Sequence, residues 1–147
     1  MIGGDLNVGE GSNTIILMSG SDIGGSILAG AANDSITGVS QVGGDVVAGG
    51  GNNIITFNTN SVVDGGVTAL AGDDAYTNDG VVMMDVDLGD GLNTADLGTN
   101  SDIRGSLTAG VDRDVINNDG NIGGDLAVGA GDNDITLTAT STIGGSV

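Results

Sequence analysis

The sequence contains no cysteine, proline, histidine, tryptophan or lysine, and its 147 residues include one phenylalanine and one tyrosine. With so few aromatic side chains a conventional core of large residues is excluded, so any core must be thin and built from Ile, Val, Leu and Ala. Arg104 and Arg113 are the only cations. Two arginines cannot neutralise a row of phosphates, which sets aside nucleic acid and anionic membranes as partners. Catalysis needs one place made different from the rest, with a shifted pKa, and no His, Lys or Cys is present to supply it. We therefore expect no enzyme, no catalytic residue and no required cofactor. The lack of thiols is compatible with any redox compartment. No apolar run approaches the roughly 20 residues of a membrane span, and no signal-peptide pattern is present. Met1 leads directly into repeat sequence, so a soluble segment of something longer is expected, without membrane insertion.

What is present is glycine, at thirty positions, and acid, giving a formal charge of −18. Such charge alone favours disorder, yet 38% of residues are hydrophobic and recur at regular intervals, which argues for order. Laid on itself, the chain divides into units starting at Ile2, Ile23, Val42, Val63, Val82, Ile103, Ile122 and Ile143. Their lengths alternate between 21 and 19 residues, a 40-residue double repeat over a single domain, 1–147. Position one is Ile or Val, and position five is apolar throughout, from Leu6 and Ile27 to Leu126 and Val147. Position seven (Val8, Ala29, Ala48, Ala69, Leu88, Ala109, Val128) shares their parity, as expected for one strand face. Position three is usually glycine, which suggests close approach by the opposite wall. A Gly-x-Gly turn follows, and strand resumes around position fourteen. Phe57 and Tyr76 fall in inward columns and are read as core.

A unit of about 20 residues with two short strands and two turns cannot bury its apolar face alone and must stack on its neighbours at about 4.8 Å. The expected fold is all-β, a single-stranded parallel β-solenoid of about seven rungs, right-handed by the general bias of parallel crossovers.

Two polar columns stand out. Position twelve reads Asn13, Asp34, Asn53, Asp74, Asn93, Asp114 and Asn133. Interposed asparagines would separate the carboxylates and donate amide hydrogens to them, a structural ladder. The other reading rests on a resemblance: the Gly9-x-Gly11-x-Asn13-x-Ile15 spacing is similar to that of calcium-binding repeats in secreted proteins, which implies Asp34, Asp74 and Asp114 as carboxylate ligands beside Asn13, Asn53, Asn93 and Asn133 and glycine carbonyls. Position four reads Asp5, Ser26, Asp45, Gly66, Asp85, Ser106, Asp125 and Ser146, with outward parity, and is read as a solvated face that discourages lateral association. Met83, Met84 and Arg104 interrupt the usual glycines and are read as drift. An ice-binding face would need a continuous threonine ladder, which Thr56 and Thr136 do not extend to.

Gly9-x-Gly11-x-Asn13-x-Ile15 and Gly129-x-Gly131-x-Asn133-x-Ile135 are similar to the calcium-binding nonapeptide repeats of secreted RTX proteins, although Val8 or Val128 replaces the first glycine and Asn the aspartate. As a whole the chain resembles the repeat arrays of bacterial surface and secreted proteins, of the autotransporter-passenger or large repetitive adhesin type. That resemblance implies an extracellular, elongated, structural role, a stalk or spacer, and places no adhesion target, glycan or receptor on any residue. Self-association is a further expectation, because repeat sequence runs to both termini and uncapped solenoid ends could stack head to tail into a filament.

Overall fold

The computed structural model describes residues 1–147 as nineteen short strands with no helix. Every pairing is parallel. Leu6 pairs with Ile27, then Val46, Val67, Val86, Leu107 and Leu126 follow in one line. Successive partners lie 21 or 19 residues apart, so the chain coils into a β-solenoid of about seven turns, as the repeat implies. At about 4.8 Å per turn these rise roughly 34 Å.

Each turn carries three strand columns rather than two. The first is the two-residue column that begins with Leu6–Asn7 and ends with Leu126–Ala127. The second is the longer column represented by Ile54–Phe57, Ala75–Asn78, Thr94–Leu97 and Val115–Asn118. The third comprises Val62–Val63, Val81–Val82, Asp102–Ile103 and their equivalents. In the first two rungs the second and third columns run together as Thr14–Ile23 and Ser35–Val42. Position one therefore ends a strand of its own, and a bend at positions two and three separates it from position five.

That bend corrects the reading of the position-three glycines. A Cβ on Gly25 would overlap Asp5 Oδ1 and lie 2.8 Å from the Asp5 backbone nitrogen. The crowding comes from the rung below, not from the opposite wall.

The two extra residues of the longer units sit wholly in the turn between the second and third columns. Thr14 to Leu17 pair 21 residues ahead, whereas Ser21 to Ile23 pair 19 ahead, with the register shift between Leu17 and Ser21. In the next rung the offsets reverse, Ser35 pairing with Ile54 and Gln41 with Val62. One side of the solenoid thus alternates wide and tight turns while the rest of the cross-section repeats.

The core is one cluster of 26 buried residues drawn from positions one, five, seven, fourteen and sixteen. Phe57 and Tyr76 belong to it, as expected, and meet edge to face at 6.3 Å and 77°. One rung exchanges large for small: its position seven is Leu88 and its position fourteen Ala95, and both are fully buried.

Candidate functional site: the polar ladders

The first turn explains the Gly-x-Gly motif. Positions eight and ten both adopt left-handed backbone, as at Gly49 (φ 86°) and Gly51 (φ 101°), where glycine avoids the Cβ penalty. Leu70, Ala32 and Asp112 hold the same conformation without being glycine, at φ 63°, 88° and 86°.

Position twelve closes this turn from the inside. From Asp34 onward each side chain there accepts a hydrogen bond from the backbone N–H of the same position one rung earlier. Asn13 N donates to Asp34 Oδ1 (2.7 Å), Asp34 N to Asn53 Oδ1 (2.9 Å) and Asn53 N to Asp74 Oδ1 (2.7 Å). Asp74 N, Asn93 N and Asp114 N continue to Asn93, Asp114 and Asn133 at 3.1, 3.0 and 2.8 Å. The ladder runs from first rung to last.

The asparagine amides do not donate to the carboxylates, contrary to the expectation from sequence. Asn93 Nδ2 donates to the turn carbonyls of Gly89 (3.1 Å) and Gly91 (3.2 Å) and to Ala109 of the next rung (3.1 Å). Asn13 repeats this on Gly9, Gly11 and Ala29, and Asn53 on Gly49 and Gly51. An asparagine fits because one end must accept and the other donate.

Aspartate can satisfy only the accepting end when ionised. Asp34, Asp74 and Asp114 are almost fully buried, and Oδ2 of each has no hydrogen-bond partner. Burial pushes the Asp74 carboxyl up to about 6, against the opposing hydrogen bond from the Asn53 backbone N–H and with a further push from neighbouring Asp73. Asp114 is raised as well, chiefly by burial, with the charge of Asp112 adding to it and hydrogen bonding from Asn93 opposing.

The seven residues singled out from sequence thus share one column, but asparagine rungs keep the three carboxylates about 9.6 Å apart. No group of three or more acidic side chains converges anywhere in the chain. Calcium takes six to eight oxygen ligands. Here one carboxylate oxygen is already held by an N–H, leaving a single free carboxylate oxygen per double rung beside turn carbonyls.

Position four forms a second ladder of the same kind. Ser26 N donates to Asp5 Oδ1 (2.8 Å), Asp45 N to Ser26 Oγ (3.0 Å) and Gly66 N to Asp45 Oδ1 (2.9 Å). After a break at Gly66 it resumes through Asp85, Ser106 and Asp125 at 2.8, 3.0 and 2.7 Å. These groups are exposed or half-exposed, and they also hold the bend together.

Sequence reasoning missed a third ladder at position eleven, where Asn52 N donates to Asn33 Oδ1, Asp73 N to Asn52 Oδ1 and Leu92 N to Asp73 Oδ1. The signal was the run Asn33, Asn52, Asp73 in one column. It also missed the buried pair at the tight turn, where Asn78 accepts from Gly80 N and donates to Ser101 Oγ at 2.7 Å.

On the outer surface, Asp79 accepts hydrogen bonds from Thr59 and from Asn100, which hold its carboxyl below the usual range. Arg104 pairs with Asp102 and Arg113 with Asp134, both at exposed positions where such pairs contribute little. No protein-family model, curated protein or solved structure matches the chain.

Proposed function

We propose that the chain is a non-catalytic rod segment, a stalk or spacer of an extracellular, bacterial surface or secreted protein. The observation that carries this reading is the continuity of the position-twelve ladder, whose side-chain-to-backbone bond recurs between all seven rungs. Its chemistry is spent on holding one rung to the next. The distinctive polar groups recur with the repeat, and length is the property that a repeat of this kind scales.

Small-angle scattering on the segment and on a tandem duplicate tests this reading. A spacer gives a maximum dimension that grows in proportion to the number of rungs, and an array of glycans and matrix proteins gives no stoichiometric partner. A single defined binding site on the isolated segment refutes it.

A second reading, head-to-tail assembly into a filament, is favoured by the equivalence of the rungs: Leu6, Ile27, Val46, Val67, Val86, Leu107 and Leu126 pair in one parallel line, so every rung pairs its neighbours through the same groups that a second copy would use. Fibres seen by electron microscopy at high protein and salt concentration support it, and a monodisperse monomer under the same conditions refutes it.

A further inference from the structure

The position-twelve column contains two side chains of one shape and two chemistries. Oδ1 does the same work in both, accepting the N–H of the previous rung. The other end of each asparagine points a donor at carbonyl oxygens of the turn. By the repeat, the matching carbonyls are those of Leu70, Gly72 and Leu88 for Asp74, and of Gly110, Asp112 and Val128 for Asp114. An ionised carboxylate would point a buried anionic oxygen at oxygens that carry partial negative charge, with no donor to compensate. A neutral carboxylic acid has the one hydrogen needed to reproduce the asparagine pattern.

We propose that Asp74 and Asp114 work as protonated carboxylic acids, each donating Oδ2–H to a turn carbonyl, so that the solenoid is fastened by protons in alternate rungs and loosens as the pH rises. Few charges bear on either group. The flanking rungs contribute neutral Asn53, Asn93 and Asn133 to the column. Asp73 lies beside Asp74, and Asp112 beside Asp114, with Arg113 turned outward to Asp134. The neighbouring acids favour the neutral form, in the same direction as burial.

Because these carboxyls hold their protons more tightly folded than unfolded, their stabilising contribution is complete below the ordinary carboxyl range near 4. It is lost as pH climbs through the folded value. For Asp74, raised from 3.8 to about 6, the folding equilibrium constant falls about a hundredfold across that window. This runs opposite to ordinary acid denaturation. The inference does not depend on the spacer reading.

The test compares wild type with D74N/D114N and with D45N/D85N, which removes the same charge from the outer ladder while keeping its acceptors. Urea unfolding is followed between pH 4 and 7.5, and a carboxyl-carbon NMR titration of aspartate-labelled wild type identifies the groups directly. The proposal requires D74N/D114N to gain at least a hundredfold in relative folding constant over wild type as pH rises, D45N/D85N to keep the wild-type slope, and two carboxyls to titrate well above the usual range. A pH-independent ratio between wild type and D74N/D114N overturns it. So does a wild-type NMR titration in which all carboxyls titrate normally. Stabilisation of wild type by millimolar calcium at pH 7.5 that D74N/D114N abolishes also overturns it, because the column would then be a cation site.

Discussion

Met84 occupies a column that is otherwise glycine, and the structure gives it a reason that can be measured. In the other rungs, a Cβ at position three would run into the position-four side chain of the rung below: Asp5 for Gly25, Ser26 for Gly44, Asp45 for Gly65 and Asp85 for Gly105. Below Met84 that residue is Gly66, which has no side chain. The two departures from the repeat therefore compensate each other, and the ladder breaks at the one place where the glycine is missing.

The Gly66→Ser and Met84→Gly cycle tests this. Serine alone introduces a side chain under Met84, and its Cβ also starts 2.8 Å from the Asp85 carbonyl oxygen, so about 1–3 kcal/mol of overpacking is expected. Met84→Gly alone costs about 0.5–1 kcal/mol through backbone freedom. Together they rebuild the column, the introduced hydroxyl accepting from Asp85 N as those of Ser26 and Ser106 accept one double repeat away, for about 0.5–1.5 kcal/mol. The double variant keeps the Asp85 carbonyl contact but loses the clash with Met84, so it should be more stable than the sum of the two single changes, by a coupling near 2 kcal/mol in urea unfolding. Amide exchange at Asp85 should slow in the double variant alone. Additivity within about 0.5 kcal/mol, or unchanged Asp85 exchange, refutes the compensation.

Three further outcomes follow from the ladders and the turn. Asn93→Ala strands the Asp74 N–H and removes the donor to three carbonyls, so a loss of about 3–5 kcal/mol is expected in urea unfolding. Asn93→Asp keeps the acceptor but loses the donor and adds a carboxylate between Asp74 and Asp114, so stability in urea unfolding should fall at neutral pH and recover in acid as these carboxyls take up protons. Leu70→Gly relieves a left-handed leucine and should raise stability by about 0.5–1 kcal/mol, while Gly89→Ala, whose Cβ would overlap the Leu70 carbonyl oxygen, should lose more than about 3 kcal/mol. Tyr76→Phe removes a fully buried hydroxyl that has no partner, and thermal unfolding should show no loss or a gain of up to about 1 kcal/mol.

The solenoid and its inward columns were legible in the sequence because stacking turns the period into a contact: a residue 19 or 21 positions away is its pairing partner. Parity failed at the bends. Positions one and three look like one strand face with position five, but the chain turns between them, and the sequence marks that turn only with a glycine pair that also fits a flat strand. The position-twelve column was visible as a column, and its bonding was not. Parity says which way a side chain points, not whether it meets its own turn or the rung above, and the asparagines proved to donate to carbonyls supplied by the Gly-x-Gly backbone. Inward parity at position twelve placed Asp74 and Asp114 inside, but it did not show that Oδ2 of each meets no donor there, which is what leaves burial to raise these carboxyls.

The alternation at position twelve is difficult to explain by stability alone. Asparagine in every rung would accept the N–H below and donate to the turn carbonyls at any pH, with no buried charge to suppress. Aspartate in every rung would place like charges about 4.8 Å apart whenever they ionised. Aspartate in every second rung avoids the repulsion but still leaves an oxygen without a partner at neutral pH. A buried Oδ2 without a partner recurs at Asp34, Asp74 and Asp114, in the same register as the change between wide and tight turns, so it belongs to the 40-residue unit and not to drift in one rung. At Asp74 and Asp114, where burial raises the carboxyls, a residue that is the poorer choice at neutral pH and an equal one in acid ties the strength of the solenoid to the proton concentration around it.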